Sequence, residues 1–372
     1  MGLLDATLPE GRRWARVGDY FEVTRKPRGL DVTSYDVVPF VPMEAIPQRG
    51  RYEPRYDAKP GSQITSGTYF ERGDLLIAKI TPSFENGKQA WARELPTPFA
   101  YATTEVIPLR PTVPGHDRRL LFFYLLHPDI RSHVSERMEG STGRQRVPEQ
   151  VLLDLPYPEL PGDEQRAIAD TLECITRQVE LEDLSARTAE KLKRAAMREL
   201  FTRGLRGEPQ KDTEIGPVPE SWEIRDFSEA AVLQRGFDLP VSARRAGDVV
   251  VFGSNGPVGT HDAVPPGVST PTVMVGRSGS VGKVSYCDQR CWPLNTTLFV
   301  SDFRGNNPKY VYFWLEHFDL TRFGQGVSVP TLNRNTFASV KVAVPTQDEQ
   351  RDIVAILDAI DRKIELHRKK RA

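Results

Sequence analysis

Apolar residues along this chain follow two periods. In the stretch from about Asp163 to Arg203 they recur at +4, +3 and +4 as Ile168, Leu172, Ile175 and Val179, the spacing of one helical face. The same spacing returns in Ile353, Leu357, Ile360 and Ile364. Just upstream of each lies a short alternating run, Leu153 to Pro158 and Val340 to Pro345, so each copy reads as a strand, a proline and a helix N-terminus. The first helix is expected to run from Asp163 to the stop at Gly204, about 60 Å at ~1.5 Å per residue, more than one small domain needs.

The duplicated pattern is an internal repeat. Asp163-Glu-Gln-Arg166 returns as Asp348-Glu-Gln-Arg351, an offset of 185 (348 − 163) that also relates the apolar positions above. Farther out, Val147-Pro148 pairs with Val329-Pro330, Phe122-Phe-Tyr-Leu125 with Tyr312-Phe-Trp-Leu315, and Thr103-Thr104 with Thr296-Thr297. Leu8-Pro-Glu10 with Trp14 opens the first copy as Val218-Pro-Glu220 with Trp222 opens the second. The drifting offsets imply loops of different length on two duplicated heads. The expected order is a head over 1–162, a long helix over 163–207, a second head over 208–347 and a shorter helix over 348–372.

Charge is sorted along both helices. Asp163, Glu164, Asp170, Glu173, Glu180, Glu182 and Asp183 precede Arg187, Lys191, Lys193, Arg194, Arg198 and Arg203, while Asp348 to Asp361 precede Arg368-Lys-Lys-Arg371. Antiparallel pairing sets each acidic start against a basic end, so an antiparallel two-helix rod is expected. The alternative is two separate helices with solvated charged faces.

Composition narrows the function. Lys plus Arg equals Asp plus Glu at 50 each, which argues against a free-standing basic nucleic-acid binder and assigns any DNA contact to local loops or a partner. At 39% hydrophobic, 372 residues suit two folded domains. No membrane contact is expected, since no run approaches a bilayer span and Met1 to Glu10 has no signal pattern, so a cytoplasmic place is expected. Cys174, Cys287 and Cys291 lack zinc spacing, and the six histidines are scattered. Gly276 to Lys283 has five residues between its glycines and Val284 where a phosphate loop needs Ser or Thr. Methyltransferase and Pro-Asp nuclease motifs are missing too, so no catalytic site, bound metal or bound cofactor is expected in this chain.

Four loops combine glycines with base-matching side chains. Lys79 to Lys88 offers Lys79, Thr81, Ser83, Asn86 and Lys88; Gly140 to Arg146 offers Arg144 and Gln145; Phe252 to Asp262 offers Ser254 and Asn255; Arg277 to Lys283 offers Arg277, Ser278 and Lys283. Arg244 and Arg245 are added, whereas Arg49-Arg51-Arg55 and Arg118-Arg119 read as solvated surface. Each loop alone reads equally as a plain turn. Phe122, Phe123, Tyr124, Phe313 and Trp314 read as core rather than as base-stacking platforms.

With Glu214-Ile-Gly-Pro-Val-Pro-Glu220 and Trp222, Arg277-Ser-Gly-Ser-Val-Gly-Lys283 and the two Pro-x-x-x-Glu-Gln-Arg-x-Ile type junctions, Pro161-Gly-Asp-Glu-Gln-Arg166 with Ile168 and Pro345-Thr-Gln-Asp-Glu-Gln-Arg351 with Ile353, the chain resembles the specificity subunits of type I restriction-modification systems. The resemblance implies an α+β protein, with two α/β target-recognition domains on two long helices forming an antiparallel coiled coil with pseudo-twofold duplication. Each head would read half of a bipartite double-stranded DNA site. The helices would act as spacer and docking rod for two methyltransferase subunits. S-adenosylmethionine, ATP and Mg would sit on partner subunits, which include a restriction and translocase subunit in the full complex. Two alternatives are a recognition subunit of a fused nuclease-methylase (type IIB-like) system and a duplicated scaffold that binds no DNA. In one departure, the second helix reaches only Ala372, whereas the repeat offset places its end near 388 (203 + 185).

Overall fold

The computed structural model describes residues 12–48, 53–141, 143–325 and 331–371, and divides the chain into two units, Met1–Glu180 and Leu181–Ala372. In the first unit β1 (Trp14–Arg16) pairs with β12 (Pro156–Pro158). One sheet has the order β2-β9-β6-β7, from β2 (Phe21–Val23), β6 (Leu75–Ala78), β7 (Gln89–Trp91) and β9 (Val106–Pro111). A second has the order β4-β3-β8-β5, from β3 (Val38–Val41), β4 (Asp57–Lys59), β5 (Thr68–Glu71) and β8 (Phe99–Ala102). A hairpin of β10 (Glu139–Ser141) and β11 (Arg144–Arg146) follows helices α1 (Arg118–Tyr124) and α2 (Pro128–Ser135), and α3 (Glu149–Leu153) precedes β12.

The second unit repeats this plan. After the hairpin β13 (Gln210–Thr213) and β14 (Gly216–Pro219), β15 (Glu223–Asp226) pairs with β25 (Lys341–Val344). The order β16-β22-β19-β20 is built from β16 (Val232–Arg235), β19 (Thr272–Gly276), β20 (Val284–Cys287) and β22 (Thr297–Asp302). The order β18-β17-β21 is built from β17 (Val249–Gly253), β18 (Gly256–His261) and β21 (Cys291–Pro293), and β23 (Gly324–Gln325) pairs with β24 (Thr331–Leu332). Helices α5 (Phe227–Ala230) and α6 (Pro308–Phe318) complete it.

Strand alternation explains why β6 and β19 are buried throughout. Leu75 and Ile77 point into the helix-side cluster with Phe21, Leu121 and Phe122, while Leu76 points into a second cluster with Val41, Phe70 and Ala100. Likewise Val273 and Val275 join Phe313 and Trp314, and Met274 joins Phe252 and Phe299. The consecutive aromatics singled out in the sequence are therefore core: Phe122 and Tyr124 are buried with Phe123 packed against their cluster, and Phe313 and Trp314 are buried in the second unit.

The ladders also correct three sequence pairings. Ala15 lies opposite Tyr157 and Arg225 opposite Val342, so Trp14 corresponds to Ile224 and Arg12, not Trp14, stands where Trp222 does. The N–H of Val147 donates to Lys79 O as that of Leu332 donates to Arg277 O, which pairs Val147 with Leu332 rather than with Val329. Lys79 and Arg277 donate from their N–H groups to the carbonyls of Glu105 and Thr296, so Thr103-Thr104 falls one to two positions before the residues equivalent to Thr296-Thr297. Leu8 to Glu10, Arg49, Arg51, Val329 and Pro330 lie outside the described residues.

The repeated Asp-Glu-Gln-Arg motif bolts each head to its helix, α4 (Gly162–Arg203) or α7 (Gln347–Arg371). Buried Gln165 accepts from the N–H of Asp117 at 2.9 Å and donates to Leu160 O at 2.8 Å; buried Gln350 accepts from the N–H of Asn307 at 2.9 Å and donates to Asn306 Oδ1 at 2.7 Å and Pro345 O at 3.1 Å. Asp117 and Asn307 are the N-caps of α1 and α6, so one glutamine ties two helix starts together. The preceding glutamates bind equivalent partners, Glu164 with Arg12 and Glu349 with Trp222 Nε1. A third duplicated contact joins Arg119 to Glu173 and Lys309 to Asp358.

Within the second unit, ion pairs between α4 and α7 run in reversed order. Asp183 meets Arg371 at 2.8 Å, Glu190 meets Arg368 at 2.6 Å and Lys193 meets Asp361 at 2.9 Å. At the end of α4 the N–H of Leu205 is capped by Glu349 at 2.8 Å, after Gly204 turns the chain at φ +67°. The basic end of α7 thus lies beside acidic residues in the middle of α4.

Candidate nucleic-acid interface

In each unit the fold gathers loops that are separate in sequence around the exit of one buried strand. After β6, the turn over 79–88 winds on itself, with Phe84 N–H donating to Ile80 O and Lys88 N–H to Ser83 O, and buried Phe84 anchors it. Beside it lies the β10–β11 hairpin, held by Thr81 N–H to Gln145 O at 3.0 Å and an isolated bridge between Ile80 and Arg146. The two reading loops expected in the first head therefore form one surface. On it Asn86 and Arg144 are exposed, Lys79, Ser83 and Gln145 are half-buried, and the Thr81 hydroxyl is buried without a hydrogen-bond partner. Lys88 is committed elsewhere: its ammonium donates to Met43 O at 2.7 Å. Arg146 is neutralised by Glu105 at 2.6 Å, and that hydrogen bond holds the Glu105 carboxyl below its usual range.

In the second unit the turn over 277–283 leaves β19 in the same way. Gly276 N–H donates to Lys283 O and Gly282 N–H to Gly276 O, closing a tight loop. A Cβ on Gly276 would stand 1.9 Å from Ser280 O, so glycine is required there. The Lys283 ammonium donates to Asn255 O at 2.7 Å and to Asn255 Oδ1 at 2.8 Å, which brings the expected Ser254 and Asn255 loop onto the same surface. Ser278 bridges to Thr331 of β24, as Ile80 does to Arg146. Strand register makes Lys283 the counterpart of Lys88 and Arg277 that of Lys79.

Arg244 and Arg245 lie apart from this turn, on the flank of the β17–β18 hairpin. Arg244 donates to Val258 O at 2.9 Å and Arg245 pairs with Asp262 at 2.7 Å, holding that carboxyl below its usual range. Their charge serves the hairpin.

Two residues were missed by the sequence reading. Arg235 at the end of β16 and Arg334 after β24 join Arg277, Thr331 and Asn333 around a recess of about 570 Å³ that no carboxylate lines. Three guanidinium groups on one recess suit a phosphate or a base edge. Isolated arginines 42 and 57 residues from Arg277 carry no linear signal; only strand order unites them.

Among the described residues, no group of three or more His, Cys, Asp or Glu side chains could hold a metal ion, and no helix is long and apolar enough to cross a membrane. Cys287 and Cys291 are buried free thiols, and Cys174 is an exposed one.

Residues 250–372 match the family described as type I restriction modification DNA specificity domain. The type I restriction enzyme EcoAI specificity subunit of Escherichia coli is 31% identical over 163 residues, 43% of this chain and 27% of that protein. The putative type I restriction enzyme MjaX specificity subunit of Methanocaldococcus jannaschii is 23% identical over 321 residues, 80% of this chain and 74% of that protein. The match thus spans about a quarter of the length of the Escherichia coli relative. Among solved structures, the type I restriction-modification S subunit from M. genitalium shares the fold at a TM-score of 0.64 and 14% identity, covering 98% of this chain and 94% of that one. A chain from a type I R-M system studied for complex assembly and conformational transition gives 0.58 at 19% identity, with the same coverage. Residues 250–372 thus match the type I restriction modification DNA specificity domain, and the chain as a whole is similar to type I restriction enzyme specificity subunits.

Proposed function

We propose that this chain reads a bipartite double-stranded DNA site, one half with each α/β unit, as the non-catalytic specificity subunit of a type I restriction-modification enzyme in the cytoplasm. The observation that carries this reading is the matched pair of turns after β6 and β19, which set a cation at the same position in both units, Lys79 and Arg277. Arg144 and Asn86 in one unit, and Asn255, Ser278 and the arginine recess in the other, supply the forks that distinguish bases and seat phosphates.

The long helices act as an antiparallel coiled coil related by the pseudo-twofold of the duplication. They serve as spacer between the heads and as docking rod for two methyltransferase subunits that hold S-adenosylmethionine. A restriction and translocase subunit using ATP and Mg joins in the full complex. The zero net charge makes tight site binding a property of the assembly rather than of this chain alone. Sequencing methylated adenines in a host with and without the gene tests this: a bipartite motif that disappears with the gene supports the reading, and an unchanged methylome refutes it.

A further inference from the structure

One reversal of charge separates the two units at positions that the duplication makes equivalent. Arg235 lies opposite Leu298, and Leu298 opposite Val275, two residues before Arg277. In the first unit Ile77, two residues before Lys79, lies opposite Ile107. The ladder of β2 on β9 brings Arg25 level with Ile107, since Val23 faces Leu109 and the N–H of Thr24 donates to Pro108 O. Arg25 is therefore the counterpart of Arg235. Two residues beyond the matched pair Val147 and Leu332 stand Glu149 and Arg334, each opening a short helical segment, Glu149–Leu153 or Arg334–Thr336.

The consequence is electrostatic. In the first unit Arg25 is paired with Glu149, a carboxylate that the chain itself supplies. In the second unit a guanidinium takes that carboxylate's place: Arg334 joins Arg235 and Arg277 on the recess of about 570 Å³, and among the described residues no Asp or Glu lines it. Arg334 donates to Leu233 O at 3.3 Å and Arg277 to Asn295 O at 3.5 Å, contacts with neutral groups that leave both charges uncompensated. Arg235 reaches Asp238 at 3.8 Å, but Oδ1 of Asp238 also accepts from Asn295 Nδ2. Like charges gathered in this way repel one another, at a cost that a bound anion removes. A base edge is neutral and leaves the repulsion in place, whereas a phosphate offsets it and matches the guanidinium fork in geometry.

We infer that a single backbone phosphate of DNA sits between Arg235 and Arg334, taking the place that Glu149 holds beside Arg25, and that this anchor belongs to the second unit alone. The anchor rests on the proposed reading of DNA and adds an asymmetry to it. Both heads carry a cation at the shared position of Lys79 and Arg277, but the first closes the neighbouring position with its own carboxylate. The second half-site is then gripped through one backbone phosphate more than the first.

Exchanging the two residues tests this. Arg334→Glu and Glu149→Arg are made in the full chain, assembled with its methyltransferase subunits, and binding to a duplex carrying the bipartite methylation motif is titrated by fluorescence anisotropy across a salt series. Arg334 is exposed and Glu149 half-buried, and each position holds the other's residue in the opposite unit, so the variants keep the fold, checked by an unchanged thermal midpoint. Arg334→Gln is a second variant that removes the charge without adding one. Each neutralised phosphate contributes about 0.9 to the slope of log affinity against log salt. Both Arg334 variants should flatten the slope by about that amount, and Arg334→Glu should weaken binding about tenfold, with the ranking of duplexes altered at single base pairs unchanged. Glu149→Arg should steepen the slope by about the same amount. With the parent complex still preferring its motif, an unchanged slope in both Arg334 variants, or selectivity lost at one base pair with the slope kept, overturns the anchor. An unchanged slope in Glu149→Arg overturns the asymmetry. No motif preference in the parent complex overturns the reading of DNA itself, and the anchor with it.

Discussion

Replacing Gln350 with Leu keeps the volume of a buried side chain but deletes its two-sided clamp. Three buried or half-buried groups lose their partner: the N–H of Asn307, which opens α6, the carbonyl of Pro345, and Oδ1 of Asn306. Asn306 still donates to Ala230 O at 2.8 Å, so its amide is only half orphaned. At ~1–3 kcal/mol for each buried polar group left unsatisfied, the expected loss is about 3–6 kcal/mol, a large share of the ~5–15 kcal/mol that holds a typical domain. Urea denaturation followed by tryptophan emission, with Trp14 and Trp91 changed to Phe so that only the second unit reports, should show the midpoint falling by roughly 2 M for a slope of ~2 kcal/mol per M. Gln165→Leu should cause a loss of the same order in the first unit, where Asp117 N–H and Leu160 O are left unpaired. A loss below about 1 kcal/mol in both would refute the clamp and mean that water replaces the glutamine without cost.

Arg277→Ala should weaken binding of the assembled complex to its site by about 1–3 kcal/mol and affect one half-site only, read by titrating oligonucleotides altered in either half. Lys88→Ala and Lys283→Ala, by contrast, should lower stability by about 1 kcal/mol each through the lost carbonyl contacts, with DNA affinity of the remaining folded protein nearly unchanged. Buried Asp74, whose pKa burial pushes up to about 6, binds a proton in the folded chain that the unfolded chain lacks between pH ~4 and 6. Stability should therefore fall as pH rises through that window, by up to ~3 kcal/mol, and the difference between the parent and Asp74→Asn denaturation curves across pH isolates it from the histidines. Trp222→Phe removes the donor to Glu349 and should cost about 1–3 kcal/mol; a loss below about 0.5 kcal/mol in urea denaturation would count against this bond.

How far the sequence spoke depended on what each residue had to satisfy. The Asp-Glu-Gln-Arg repeat was legible because its glutamine is buried in both units and meets the same kind of partner, a helix-opening N–H and a main-chain carbonyl, which leaves little freedom to change. The opening of each head misled, because tryptophan was matched to tryptophan; the partner of Glu164 is Arg12, a donor of different shape doing the work of Trp222. Similar residues two positions off drew the eye more than a chemical equivalence between unlike ones. Loops that gather at one surface were recognisable by composition, but composition could not tell free cations from spent ones. Lys88, Lys283 and Arg244 hold main-chain carbonyls and Arg245 holds a carboxylate in the folded chain, which a linear reading does not reveal. Arg235 and Arg334, which also meet Asp238 and Leu233 O, carry no linear signal because their neighbourhood exists only once β16, β22 and β19 pair.

The unbroken run of α4 from Gly162 to Arg203 means that the boundary between the two units, at Glu180 and Leu181, falls inside a helix and offers a protease no loop to enter. Trypsin would instead meet the irregular segment after Gly204, where Arg206 is exposed, and cut the backbone between residues 206 and 207. The cut would sever the backbone without parting the pieces: Met197, Leu200 and Phe201 on one fragment stay in the cluster of Ile353 and Leu357 on the other, with the α4 to α7 ion pairs alongside. A gene divided at that point should accordingly yield two polypeptides that find each other and purify as one species.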